Sequence, residues 1–111
     1  MIHAQFIFAK NIALLIQFIF ASGYLCTTGE AFRTQEQAIW DSAHHTGIVA
    51  SLHCERLAMD LNLFNSQGRY LDDKKDYEVI GKYWESLNSK NRAGVFWKHH
   101  PDADHFEMLP L

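Results

Sequence analysis

The sequence has little of several features that define large classes of protein. Two cysteines among 111 residues cannot form a disulfide framework, and we expect Cys26 and Cys54 to be free thiols. There is no run of lysine or arginine and the net charge is −3, so nothing indicates a nucleic-acid partner. No repeat, low-complexity tract or Pro/Gly/Ser-rich linker divides the chain, which predicts one domain.

The chain also lacks an apolar run long enough for a comfortable membrane span. Its most apolar stretch, Ile12–Ala21, follows Lys10 and has the layout of a secretory signal. Apolar residues recur there at helical spacing and Gly23 follows as a C-terminal cap, so we predict a core helix over Ala4–Ser22. The alternative is that residues 1–22 are a signal, in which case the protein is secreted.

What is present is a core, because 48% of the residues are hydrophobic and 14% are aromatic. Thr34 is the predicted N-cap of a second helix that runs to about Ser42, with Gln37 as its capping-box partner. The other predicted elements are a strand at Tyr24–Thr28, a loop at His44–Gly47, a strand at Ala58–Phe64, a turn at Ser66–Gly68, a returning strand at Arg69–Leu71, a helix at Asp73–Ser89, a turn at Asn91–Gly94, and strands at Val95–Trp97 and His105–Met108. This pattern predicts an α+β fold with a small antiparallel sheet packed against two or three helices.

Three polar residues interrupt apolar segments in a way that indicates a metal site. Asp60 lies within a strand whose other face carries leucines, where a carboxylate is costly unless a cation compensates it. His53 precedes it across a short polar turn, and His105 interrupts the apolar C-terminal segment. We predict that these residues meet around one zinc ion, because three ligands and an open fourth position are typical of catalytic zinc. The alternative is a loop histidine and a solvated aspartate.

A catalytic zinc site of this kind needs a carboxylate that takes a proton from water during attack on an amide. Asp102, Asp104 and Glu107 compete for that role. If the segment is extended, Asp104 and His105 point to opposite faces, whereas a turn after Pro101 brings Asp102 back over the metal.

Arg33 has two interpretations. It opens a helix after a strand, where a guanidinium can stabilise the oxyanion that forms at a scissile carbonyl. Alternatively, it forms a surface ion pair with Glu30 or Glu36.

Three motifs together carry a family resemblance. They are Gly29-Glu-Ala-Phe-Arg-Thr-Gln-Glu-Gln37, Ser51-x-His53-x4-Ala58-x-Asp60 and Asp102-x-x-His105-Phe-Glu107. Their order resembles the zinc peptidase family of D-alanyl-D-alanine carboxypeptidases and L-alanyl-D-glutamate endopeptidases. Phage endolysins of this family are similar in the run 56–64 and at Gly68–Tyr70, and the likeness extends from about Ile12 to Leu109.

The resemblance implies a hedgehog/D-Ala-D-Ala-peptidase-like fold and a single zinc peptidase domain over residues 1–111. The site residues it implies are His53, Asp60 and His105 as ligands of one Zn²⁺, Asp102 as general base, Arg33 as the group that polarises the substrate carbonyl, and Ser51 and Gln37 as substrate-binding residues. The implied substrate is the stem peptide of bacterial peptidoglycan, cut at an L-Ala-D-Glu or D-Ala-D-Ala type bond.

The resemblance also implies a setting. A phage lysin of this type is a monomer made in the host cytoplasm, without stable membrane insertion, and it reaches the periplasmic wall once the membrane is permeabilised. The alternative function is a non-catalytic zinc-containing module that binds cell wall or protein.

The chain departs from the family at two positions beside His53. Many relatives have glycine three residues after this histidine, at a turn that needs positive φ, whereas this chain has Arg56. The turn is therefore expected to have another shape, although some phage relatives resemble this chain there. Cys54 follows the histidine directly, and its thiol is expected to face away from the site.

Overall fold

The computed structural model describes residues 2–43 and 51–111, and it places two long helices against one face of a four-stranded sheet. The elements are α1 (Ile2–Ala21), β1 (Leu25–Thr28), α2 (Gln35–Ala43), β2 (Ala58–Phe64), α3 (Lys74–Leu87), β3 (Asn91–Ala93) and β4 (His105–Met108), with short 3-10 helices at Leu52–Glu55 and Gly94–Phe96. The predicted α+β class with a small antiparallel sheet is confirmed. The predicted loop at His44–Gly47 lies outside the described residues.

The strand order is β1-β2-β4-β3, and every neighbouring pair is antiparallel. In β2 the leucines Leu61 and Leu63 are fully buried, while Asp60 and Asn62 lie on the other face, as the alternating pattern predicts. In β4 Phe106 and Met108 belong to the core. The two faces of β2 and β4 therefore differ in chemistry, one apolar and one polar.

The core lies between the apolar face of the sheet and the helices α1 and α3. Its largest side chain is Trp84 of α3, which packs edge-on against Phe8 of α1 and Phe106 of β4. The indole N–H of Trp84 donates a hydrogen bond to the Glu107 carbonyl oxygen at 2.9 Å, so the aromatic ring is satisfied as well as buried.

The helix ends follow their sequence signals closely. The Thr34 hydroxyl accepts a hydrogen bond from the Gln37 backbone N–H, which makes it the predicted N-cap of α2. Asp73 caps α3 in the same way. The chain leaves α1 through Gly23, whose φ of +90° is a conformation that glycine adopts readily.

Three predicted elements are wrong or incomplete. Asn91–Ala93, predicted to be part of a turn, pairs with β4 as a strand, and Gly94–Phe96 forms a 3-10 helix where a strand was predicted. The conformation of such short segments is set by their tertiary contacts rather than by local propensity. Here Asn91–Ala93 becomes a strand because it pairs with the edge of β4. The returning strand at Arg69–Leu71 is reduced to one bridge between Tyr70 and Phe64.

Among the described helices, α1 is long and apolar enough to cross a membrane by length and composition, which corrects the expectation that the apolar segment is too short for a span. A core helix and a signal sequence meet the same criterion, and no membrane position follows from it.

Candidate metal centre

His53 is positioned by the 3-10 helix that precedes β2. The Ser51 hydroxyl accepts a hydrogen bond from the His53 backbone N–H at 3.1 Å and so caps this helix. At its other end, Arg56 has φ 58° and ψ 35°, the left-handed conformation. His53 is buried, with 3% of its surface exposed.

The expectation that Arg56 would change the shape of this turn is therefore wrong. Arg56 adopts the positive φ that was attributed to glycine, at a cost of about 1–2 kcal/mol. Its guanidinium lies 3.9 Å from the centroid of the Phe32 ring, a cation–π contact that offsets about 0.5–1 kcal/mol at an exposed site.

Asp60 and His105 are brought together by strand pairing, since they lie directly opposite each other on β2 and β4. Asp60 Oδ1 is 3.3 Å from His105 Nδ1 and 3.4 Å from His53 Nε2. The two imidazole ring centroids are 5.0 Å apart. Three ligand atoms from three separate segments thus form a compact triangle.

The remaining nitrogen of each imidazole is held by a separate acceptor. His53 Nδ1 is 2.8 Å from the Ala31 carbonyl oxygen, and His105 Nε2 is 2.7 Å from Glu107 Oε1. Because these oxygens only accept, each of these nitrogens carries its hydrogen, and the opposite nitrogen of each ring faces the triangle. Metal-binding histidines are oriented by partners of this kind.

The charges of the cluster compensate one another. Burial raises the pKa of the Asp60 carboxyl, but hydrogen bonds from His105 and His53 outweigh burial and bring that pKa to about 2. Burial lowers the pKa of His105, yet its hydrogen bonds to Asp60 and Glu107 raise the pKa to about 9. Burial also raises the pKa of Glu107, and hydrogen bonds from His105 and Arg92 reverse the effect and lower it. The carboxylates of Asp60 and Glu107 thus stabilise the protonated form of His105.

The geometry and the donor set fit zinc. Atoms that bind one zinc ion at about 2.0–2.1 Å with tetrahedral angles lie about 3.3 Å apart. Asp60 Oδ1 lies 3.3 Å from His105 Nδ1 and 3.4 Å from His53 Nε2. His53, Asp60 and His105 can each offer one ligand atom to a cation, and all these atoms lie within 4.8 Å of one another.

Two further carboxylates border the triangle. Asp102 Oδ2 is 3.9 Å from His105 Nδ1, and its side chain is 51% exposed. Asp102 and Asp104 each offer an oxygen within 4.8 Å of the Asp60 ligand atom. Burial and a hydrogen bond with Asp102 raise the pKa of Asp104 to about 7.

Asp104 and His105 were expected to point to opposite faces if their segment was extended. The segment is not extended before His105, because it turns at residues 102–104. The His105 backbone N–H donates to the Asp102 carbonyl oxygen at 3.1 Å, and the Asp102 N–H donates to the Gly94 carbonyl oxygen at 3.0 Å. Gly94 lies so close that a Cβ there would overlap the Asp102 carbonyl. A glycine at this position therefore permits the turn that carries Asp102.

The segment 29–33 passes directly beside the ligands. Glu30 accepts a backbone hydrogen bond from Asp60, and the Arg33 N–H donates to the His53 carbonyl oxygen at 3.1 Å. The Arg33 guanidinium forms an ion pair with the Glu30 carboxylate, with Nε at 2.7 Å from Oε1, so the ion-pair interpretation of Arg33 describes the contact that exists. The Arg33 side chain is only 12% exposed.

The other residues singled out in the sequence analysis are Gln37, Ser51, Cys26 and Cys54. Gln37 lines a groove of about 380 Å³ together with Thr34, Glu36 and Trp40. Ser51 supports His53 through the helix cap. Cys26 and Cys54 are free thiols, and the Cys54 sulfur is 3.9 Å from the Thr34 carbonyl oxygen.

Sequence reasoning missed the role of Glu107, which was considered only as a base. It is buried, and it contacts the far nitrogen of His105 and the Arg92 guanidinium. The signal was available, because residues two apart on a strand share a face. The Trp97 ring, with its centroid 5.1 Å from that of His105, was also missed, and no local pattern indicates this contact.

The fold is shared with a solved peptidase. It is similar to the crystal structure of the Serratia marcescens L-Ala D-Glu endopeptidase ChiX, with a TM-score of 0.75 over 92% of this chain and 77% of that chain. The sequences are 16% identical, so the likeness concerns the fold alone. No protein-family model and no curated protein sequence matches the chain.

Proposed function

We propose that this chain is a zinc-dependent peptidase that hydrolyses the stem peptide of bacterial peptidoglycan at an L-Ala-D-Glu or D-Ala-D-Ala type bond. The observation that carries the proposal is the triangle of His53, Asp60 and His105, in which both imidazoles have their second nitrogen hydrogen-bonded. A fold shared with an L-Ala D-Glu endopeptidase supports the same conclusion.

Bound at the triangle, zinc supplies a Lewis acid that lowers the pKa of water towards 7 and polarises the scissile carbonyl. Asp102 is the proposed general base. Its carboxylate lies beside His105 on the open side of the site, where Oδ2 accepts the proton of the attacking water and then donates it to the leaving amine.

Glu107 acts in this proposal as a positioning residue. It holds His105 by Nε2, so that Nδ1 faces the metal position, and Arg92 holds the Glu107 carboxylate from the other side.

Arg33 is proposed to stabilise the oxyanion. Its ion pair with Glu30 restrains the guanidinium, and the same Glu30 oxygen lies 3.8 Å from His53 Nδ1. This restraint reduces the conformational freedom that Arg33 loses when substrate binds. Gln37 is proposed to contact substrate from the 380 Å³ groove, and Ser51 to do so from the cap that precedes His53.

The proposed setting is phage-type cell-wall lysis by a monomer that is made in the host cytoplasm and reaches the wall after the membrane is permeabilised. Secretion through residues 1–22 is the alternative route, and N-terminal sequencing of the natural protein separates the two.

The test is release of muropeptides from defined sacculi, read by mass spectrometry, because it names the cleaved bond. We expect the wild-type protein with one bound zinc to release new amino termini, and chelation to abolish release. Asp102→Asn should still bind zinc, and its cleavage rate should fall about 10²–10⁴-fold. Glu78→Gln is the control, since it neutralises a carboxylate on α3, which packs on the other face of the sheet.

Two results would contradict the proposal. Wild-type cleavage by Asp102→Asn would remove Asp102 as the base. Zinc and sacculus binding without any new amino terminus would indicate the alternative, a non-catalytic zinc-containing binding module.

A further inference from the structure

The outer face of α1 is apolar although it points away from the core. Ile2 is 55% exposed, Phe6 61% and Phe20 49%. With the exposed residues Ala9 and Ala13, they lie on one side of the helix, since they are separated by three, four or seven positions. We call these five residues the outer stripe.

Helix α1 is more apolar than its packing requires. Its most apolar window has a mean hydropathy of 1.6, yet only 33% of that window is buried. A helix that is apolar only to form a core carries polar residues on its outer side. At 20 residues, α1 presents the stripe over about 30 Å.

Charge is distributed unevenly along the sequence. Residues 1–29 contain no acidic residue and one basic residue, Lys10, whereas all 13 acidic residues lie in 30–111 with nine basic ones. The formal charge is therefore +1 in the first region and −4 in the second. Lys10, His3 and Gln17 are exposed polar residues of the same helix.

The stripe also faces away from the metal centre. The buried side of α1, with Leu15 and Ile19, packs in the core that includes Leu61 and Phe106. Asp60 and His105 project from the opposite face of the same strands. A surface bound to the stripe would leave the triangle open.

The stripe is too small for a stable dimer. Its three large side chains are about half exposed, which leaves roughly 300 Å² if each can bury about 150–250 Å². A stable protein–protein interface buries about 800 Å² per partner. A lipid surface needs no matching shape, and it accepts aromatic side chains at the boundary between head groups and acyl chains.

We propose that the outer stripe of α1 docks on the surface of an anionic lipid bilayer, with the helix axis in the membrane plane. Phe6 and Phe20 enter the acyl boundary near the two ends of the helix, and Lys10 reaches the anionic head groups. The metal centre then faces away from the bilayer. This inference does not depend on the proposed peptidase activity.

The test is co-sedimentation of the full chain with vesicles of phosphatidylcholine containing phosphatidylglycerol, and with vesicles of phosphatidylcholine alone. We expect binding that is stronger on the anionic vesicles. The double variant Phe6→Glu/Phe20→Glu should lose at least about tenfold in partitioning, since each ring leaves the acyl boundary. Ile39→Glu, which places one such negative charge on a residue of α2 that is 55% exposed, is the control and should bind as the wild type.

Lys10→Glu separates the two parts of the interaction, because it should weaken binding to anionic vesicles and leave binding to neutral ones unchanged. Circular dichroism should show the same helix content in all variants.

Three outcomes would overturn the inference. The first is no sedimentation with either vesicle, and the second is an equal loss in Ile39→Glu. The third is a wild-type dimer without lipid that Phe6→Glu/Phe20→Glu dissociates, because the stripe would then be a protein interface.

Discussion

The two faces of β2 and β4 are built from alternating residues of the same strands and are stabilised by opposite means. On one face Leu61 and Phe106 are fully buried among apolar side chains, so each is stabilised by removal of apolar surface from water. On the other face Asp60 and His105 also lie largely out of solvent, but they are tolerated only because each has partners of opposite charge.

The comparison explains how the polar residues of β2 and β4 are positioned. The apolar face sets the register of the strands, because a slip by one residue would exchange the two faces. The register places Asp60 opposite His105, and the cluster then needs only His53 to complete the triangle. The candidate metal centre therefore depends on packing that none of its own residues contributes.

The largest effect is expected from truncation of the apolar face. Phe106→Ala should reduce the free energy of unfolding by about 3–5 kcal/mol, because it removes a fully buried ring that packs edge-on against Trp84. Denaturant titration measures the loss. Zinc affinity of the folded fraction should stay close to the wild-type value, since the side chain points away from the triangle. A proportional fall in zinc affinity would show that the two faces are not separable.

The next effect breaks the polar face alone. Glu107→Gln should reduce zinc affinity by about 10–100-fold, because the carboxylate that orients His105 is replaced by a neutral amide. Competition with a chromophoric chelator measures the affinity. Glu78→Gln, the same change on α3 away from the site, is the control. An unchanged affinity in Glu107→Gln would remove Glu107 as a positioning residue.

Acidity should affect the polar face of the metal-free protein in a defined direction. The Asp60 pKa of about 2 lies below its ordinary 3.8, so this group stabilises the fold above pH 3.8 and ceases to do so as the pH falls through 2. The His105 pKa of about 9 lies above its ordinary 6.5, so its contribution is complete below pH 6.5 and is lost as the pH rises through 9. The raised Asp104 pKa of about 7 makes stability fall between pH 3.8 and 7.

The cluster therefore predicts that the chelated protein is most stable near pH 4 and becomes steadily less stable up to pH 9. Thermal unfolding across this range measures the trend. With zinc bound, the loss above pH 6.5 should shrink, because His105 is then held as a neutral ligand. A chelated protein whose stability is flat from pH 4 to 9 would contradict this account.

The smallest effect concerns the turn that joins His53 to β2. Arg56→Ala keeps the positive φ and removes the contact with Phe32, whereas Arg56→Gly removes the contact and relieves the backbone. We expect Arg56→Gly to be more stable than Arg56→Ala by about 1 kcal/mol. Equal stabilities would show that the left-handed conformation carries no cost here.

Local signals predicted much of the fold from the sequence. The periodicity of α1 and α3, the Thr34 cap and the alternation in β2 all agree with the structure, because each is set by residues within a few positions of one another. The short segments after α3 were predicted wrongly, since β3 exists only through pairing with β4. The ligand and catalytic roles remain predictions, although the structure brings His53, Asp60 and His105 together.

By itself, the sequence determined the α+β class, the two chemically different faces of the strands and the candidate ligands, because these follow from side-chain chemistry and local spacing. The tertiary structure decided which groups meet. Asp60 and His105 are 45 residues apart and become neighbours only through strand pairing. It also decided that Arg33 pairs with Glu30, where the sequence left Glu30 and Glu36 open, and it placed Arg56 in a left-handed turn against Phe32, a contact between segments that are distant in the sequence.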